Sequence, residues 1–138
     1  MQIGVKFSTA IHILLSVEFF KDEKNTSEFL AQTIGTNPVI VRNIIGELKR
    51  AGLVITKPGV GGLSLAKTPE EITLFDIFAA INENHDLMFK IHNAPIECPL
   101  GGKINALLTP HFIATQDALK SKLQSIKISD LLNELKNQ

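Results

Sequence analysis

The side chains with the richest chemistry in this 138-residue chain are Cys98, its single cysteine, and four histidines, His12, His85, His92 and His111. Cys98 and His92 share the stretch NHDLMFKIHNAPIECPLGG at 84–102, which reads as an irregular loop. Three roles are open to Cys98: a redox or electrophile sensor, a metal ligand with His92, or an inert small hydrophobe. A Cys–His nucleophilic pair would need an orienting Asn or Asp and an oxyanion motif, and neither is evident. No catalytic residue and no metal site is therefore assigned, and an enzyme is not expected. One thiol cannot form an internal disulfide, which excludes a disulfide-stapled secreted domain and leaves a cytoplasmic protein as the default.

A second constellation is basic and polar. The chain has zero net charge, yet between Thr36 and Thr68 it carries Arg42, Lys49, Arg50, Lys57 and Lys67 against one acid, Glu47. A window of +4 set against a remainder of −4 suits docking on DNA, where phosphate contacts supply most non-specific affinity. Arginine pairs with guanine, asparagine with adenine, and an aliphatic side chain can meet a thymine methyl. The candidate base and phosphate readers are Thr36, Asn37, Val39, Arg42 and Asn43, with Lys49 and Arg50 further along. Lys6, Lys57, Gly59 and Gly61 complete the DNA-binding candidates. Lys49 and Arg50 would equally complement a helix C-terminus.

Those residues need elements to hold them. Phe7, Ile11, Leu14, Leu15 and Val17 recur at near-helical spacing over 6–20, and KDEKN at 21–25 reads as a solvated turn. Thr26 or Ser27 caps a short helix carrying Leu30, Ala31 and Ile34, with Gly35 as its stop. Asn37 and Pro38 occupy the N-cap and first position of the next helix, whose apolar stripe is Val41, Ile44, Ile45 and Leu48, with Gly52 ending it. Gly46 leaves room on the opposite face for a DNA backbone. A short and a longer helix across a tight turn make a helix-turn-helix. The runs LVITK and LSLAK around PGVGG then read as a hairpin, or wing. Thr68–Glu71 has capping-box spacing, and Thr73 with Asp76 caps LFDIFAAIN.

A long helix is predicted from Lys103 to about Ile126, with Ile104, Leu108, Phe112, Leu119, Leu123 and Ile126 on one stripe. Pro110 interrupts it and moves its expected start to Thr109. Ser129 caps a last helix, DLLNELK. The fold class is mainly α with a small β-hairpin: a winged helix-turn-helix over 1–82, a sensor-type loop over 83–102, and a dimerisation helix and C-terminal helix over 103–138. The long helix is the expected homodimer interface. Apolar residues are 44% and charged residues 20% of the chain, as in a folded soluble protein. No apolar run is long enough for a bilayer, and the N-terminal apolar stretch lacks a basic leader region, so no membrane partner is expected.

The stretches MQIGVKFSTAIHIL, TNPVIVRNIIGELKRAGLV, KPGVGGLSLAKTPEEITLFDIFAAI and HNAPIECPLGGKI resemble the BadM/Rrf-two family of bacterial winged-helix regulators. Within it they look most like the YwnA-like branch, with its TNPV turn and single-cysteine loop. The resemblance implies a dimeric transcription factor, usually a repressor, that binds double-stranded operator DNA and responds to a cluster or thiol signal. Two departures stand out. Lys57-Pro58 replaces the family's common Arg-Gly at the wing, and Cys98 stands where iron–sulfur members place three cysteines. One thiolate per subunit falls short of a cluster's ligands, so no cofactor is expected. Two other functions fit the residues: a winged-helix module binding protein or a small ligand without DNA, favoured by the neutral charge, and a metal- or iron–sulfur-dependent regulator.

Overall fold

The structure, a computed structural model, describes residues 4–58, 61–82 and 89–138. Helix α1, Gly4–Phe19, turns Ala10, Ile13, Leu14 and Val17 fully inward at three- and four-residue spacing. Phe7, Ile11 and Leu15 flank that stripe, half-buried and packed against the core, so the expected positions face inward and Ala10 and Ile13 join them. Helix α2, Ser27–Ile34, begins at Thr26, whose side chain accepts from the Phe29 N–H. It stops at Gly35 in the left-handed region, φ 82°, where the glycine N–H reaches the Ala31 carbonyl. Helix α3, Pro38–Arg50, starts on the Asn37 cap, whose oxygen takes the Val39 N–H at 2.7 Å.

Strands β1, Val54–Thr56, and β2, Leu63–Leu65, pair antiparallel with Val54 opposite Leu65. Leu53, Val54 and Leu63 carry the base of this wing into the core. A 3₁₀ turn at Pro69–Glu71 follows, closed by Glu71 accepting from the Thr68 N–H and hydroxyl. Helix α4, Leu74–Ile81, has a reciprocal cap: Thr73 takes the Asp76 N–H, and the Asp76 carboxylate takes the Thr73 N–H.

Helix α5 spans Ile104–Gln124, with Pro110 inside it, and not a later start at Thr109. The proline lacks the N–H that would reach the Ala106 carbonyl, a local loss that twenty neighbouring helical residues tolerate. The Thr109 hydroxyl bonds back to the Asn105 carbonyl at 2.7 Å within the same turn. Nothing on α5 is fully buried; Ile104, Leu108, Phe112, Leu119 and Leu123 are half-covered, and Lys120 sits over the Phe75 ring of α4. Helix α6, Ile128–Lys136, is capped by the Asp130 carboxylate on the Lys127 N–H and not by Ser129. Its start is tied to α4 through Ile128 N–H to Ile72 O and Leu74 N–H to Ile126 O. Ile128 and Leu132 enter the same core as α1 to α4, so the last helix belongs to the winged unit's packing. No helix among the described residues is long and apolar enough to cross a membrane.

Candidate nucleic-acid interface

Helix α3 is strictly two-faced. Val41, Ile44, Ile45 and Leu48 are buried, packed with Leu30 and with Ile34 at the core's edge, while Val39, Ile40, Arg42, Asn43, Lys49 and Arg50 are exposed. Glu47, the one acid of the basic window, points the other way. Its side chain is 10% exposed, and its carboxylate is held by the Lys6 ammonium of α1 at 2.8 Å. The charge that α3 shows to solvent is therefore all positive. Lys6 is correspondingly committed to Glu47, with the Ile81 carbonyl at 3.5 Å, and stands apart from the exposed edge of α3.

Beside that edge, α3, the start of α2 and the wing enclose an open cleft of about 410 Å³. Arg42, Gly46 and Lys49 form one wall, Ser27 at the head of α2 a second, and Thr56 and Gly62 of the wing a third. The head of α2, the positive end of its dipole, borders this cleft at Thr26 and Ser27. Arg42 leans on Glu28 at 3.5 Å, a pair in which both side chains are exposed. Such a contact is worth at most about 1 kcal/mol and yields readily to a phosphate.

Asn25 fixes the wing against this cleft. Sequence reading places it in a solvated turn, yet it is fully buried. Its amide donates to the Phe20 and Glu23 carbonyls, and its backbone oxygen receives the Leu63 N–H at 3.1 Å. Gly62, at φ 81°, packs so closely that a Cβ would lie 2.7 Å from the Asn25 nitrogen. Lys57 adds a bond from its ammonium to the Lys21 carbonyl at 2.8 Å. Gly61 lies near Lys24, and Gly59 falls outside the described residues. Thr36 is half-buried in the turn between α2 and α3, its N–H on the Ala31 carbonyl.

Cys98 is exposed on the loop before α5, remote in sequence from this face. The N–H groups of Gly101 and Leu100 point at its sulfur and lower the thiol's pKa from its ordinary value. His92 is not among the causes. Among the described residues no three of His, Cys, Asp and Glu gather closely enough to hold a metal ion. His85 lies outside them.

Asn25, Ser27 and Glu28 are the site residues that sequence reading missed. Ser27 carried a signal, since it heads the helix directly before the basic one and a helix head favours anions. Asn25 carried none, because its burial depends on the returning strand of the wing.

The whole arrangement has known counterparts. Residues 3–134 match the Rrf2 family model, described as an iron-dependent transcriptional regulator. YwnA of Bacillus subtilis (strain 168), described as an HTH-type transcriptional regulator, is 37% identical over 96% of this chain and 98% of its own. A crystal structure described as a DNA-binding protein superposes with TM-score 0.76 at 35% identity, over 92% of this chain and 98% of that one. CymR, the global cysteine regulator of B. subtilis, shares the fold at TM-score 0.72 and 20% identity, over 97% of this chain and 98% of its own. The chain belongs to the Rrf2 family of helix-turn-helix transcriptional regulators, which are DNA-binding and not enzymes.

Proposed function

We propose that the chain works in the cytoplasm as a homodimeric repressor, placing α3 in the major groove of a palindromic operator and the wing on the flanking backbone. The observation that carries this reading is the outward face of α3, where every exposed charge is positive and a cleft opens to the head of α2. A phosphate in that cleft meets Lys49, Arg42 and the Ser27 N–H together. The half-covered helix α5, with Leu107 and Ile113 exposed outside its packed stripe, supports the dimer.

The signal in this reading is redox or small-molecule chemistry at the loop before α5. Cys98 supports it through exposure and a lowered thiol pKa. Its thiolate attacks one oxygen of a peroxide, breaking the O–O bond and leaving a sulfenic acid and hydroxide. The family's description names iron, but the donors do not fit: one thiolate and no cluster of ligands among the described residues.

The test is fluorescence polarisation on duplex DNA from the chain's own promoter, titrated with salt. Affinity should fall steeply with salt, and Lys49→Ala should flatten the log–log slope by about 1. Absence of salt-dependent binding at low ionic strength would overturn the reading. Peroxide should release wild-type protein from the DNA and leave Cys98→Ser bound; equal release of both removes the thiol from the mechanism.

A further inference from the structure

The exposed half of α3 is itself divided. Arg42, Gly46 and Lys49 face the cleft toward α2 and the wing. Val39 and Asn43 lie one helical turn apart on the leading edge beside it. Val39 is 53% exposed and its neighbour Ile40 49%, on a helix that buries four other aliphatic side chains completely or nearly so. Neither belongs to the hydrophobic core. The Asn43 amide has no hydrogen-bond partner among the described residues, and the residue is exposed. Arg50 shares that edge, but at the last residue of the helix, away from the N-terminal turns that enter a groove.

We infer that this edge reads A·T base pairs, Val39 against a thymine methyl and Asn43 against an adenine edge, while Arg42 serves the DNA backbone from the cleft. The inference rests on the DNA-binding reading above and assigns its specificity. The chemistry follows from the groove: a thymine methyl is the apolar feature of the major groove, and an asparagine amide matches adenine N6 and N7. Guanine needs a bidentate arginine or lysine, and the leading turns of α3 hold neither on this edge. Arg42, the cation in the N-terminal half of α3, is drawn toward the head of α2, where its guanidinium meets Glu28 at 3.5 Å. Replacing that carboxylate contact by a phosphate oxygen needs no change of side.

The experiment starts with duplexes enriched from a random pool by the wild-type protein. A·T pairs are expected at the half-site positions beneath α3. Deoxyuridine replacing each thymidine in turn should weaken binding about fourfold at one such position, the worth of one buried methyl. Val39→Ala should bind both forms of that duplex equally. Asn43→Ala should lose at least about fivefold and relax the preference at one adenine. Arg42→Ala should weaken enriched and random duplexes alike. Deoxyuridine tolerated throughout by the wild type, or a guanine whose preference disappears in Arg42→Ala, would overturn the inference while DNA binding stands. Failure to enrich or bind any duplex would overturn the DNA-binding reading itself. Val39 and Asn43 are surface positions, and thermal unfolding of each variant checks that the fold is intact.

Discussion

Lys6 Nζ lies 2.8 Å from Glu47 Oε1, joining the first turn of α1 to the inner side of α3. The pair removes the only acid from the charged face of α3 without leaving a bare carboxylate in the core. Glu47 is 10% exposed at its side chain and Lys6 43%, so water still screens one partner. Lys6→Met should lower unfolding stability by about 1–2 kcal/mol, since a nearly buried carboxylate loses its charged donor. Glu47→Gln in the same background should restore part of it. A double-mutant cycle in urea should give a coupling of about 1 kcal/mol. Strict additivity of the two single changes would show that the pair contributes nothing.

Gly46 sits inside α3, where alanine is normally better by about 0.5–1 kcal/mol. Its own protein does not demand the glycine: an added Cβ would find only Arg50 Nη1 at 3.5 Å, an ordinary contact. In the proposed reading the missing side chain leaves room for a DNA backbone passing through the cleft beside it. Gly46→Ala should therefore raise the urea midpoint while weakening DNA binding at least threefold. A variant that is more stable and binds equally well would leave the glycine unexplained by DNA.

Gly62 has the opposite reason for being glycine. Its φ of 81° is strained for other residues, and the nearest obstacle to a Cβ is backbone, the Asn25 nitrogen at 2.7 Å. Gly62→Ala should cost about 1–3 kcal/mol and loosen the wing from the turn before α2. Gly61→Ala meets only the flexible end of Lys24 at 3.2 Å, so about 1 kcal/mol is expected from its backbone strain. Thermal unfolding of the two variants separates them; equal losses would mean that the wing is not anchored through residue 62.

What the sequence could show follows from the range of each interaction. Thr26, Asn37, Gly35 and the Thr73–Asp76 pair act within four residues, so helix boundaries through α4 were legible from spacing alone. Pro110 is misleading by itself, because its local penalty is small beside the long helix that carries it. Ser129 misled for a related reason: Asp130, one residue later, reaches back to Lys127 and moves the cap. The basic window identified the outward side of α3, but the division of that side into a cleft and a leading edge needed α2 and the wing in place. Lys6 looked like a spare cation because its partner stands 41 residues away.

Leu107, on α5, is 54% exposed and lies outside the half-buried stripe formed by Ile104, Leu108 and Phe112. A homodimer built on α5 would cover it. Leu107→Glu should shift sedimentation from dimer to monomer at micromolar concentration and reduce binding to a palindromic duplex far more than to a single half-site. An unchanged dimer would place the interface elsewhere on the chain.

The thiol of Cys98 offers a pH-dependent readout. The N–H groups of Gly101 and Leu100 favour the thiolate, so the folded pKa lies below that of the unfolded chain. Between the two values the native protein binds fewer protons than the unfolded one. Stability from this contact is therefore present at alkaline pH and fades as pH falls through the lower, folded value. The rate of iodoacetamide alkylation should rise at lower pH in the native protein than in urea. Gly101→Ala should move the native inflection upward, because its Cβ would sit 2.9 Å from the Pro95 carbonyl oxygen and 3.2 Å from the Cys98 Cβ, forcing the turn open. Coincident native and unfolded profiles would show that the two amides do not act on the sulfur.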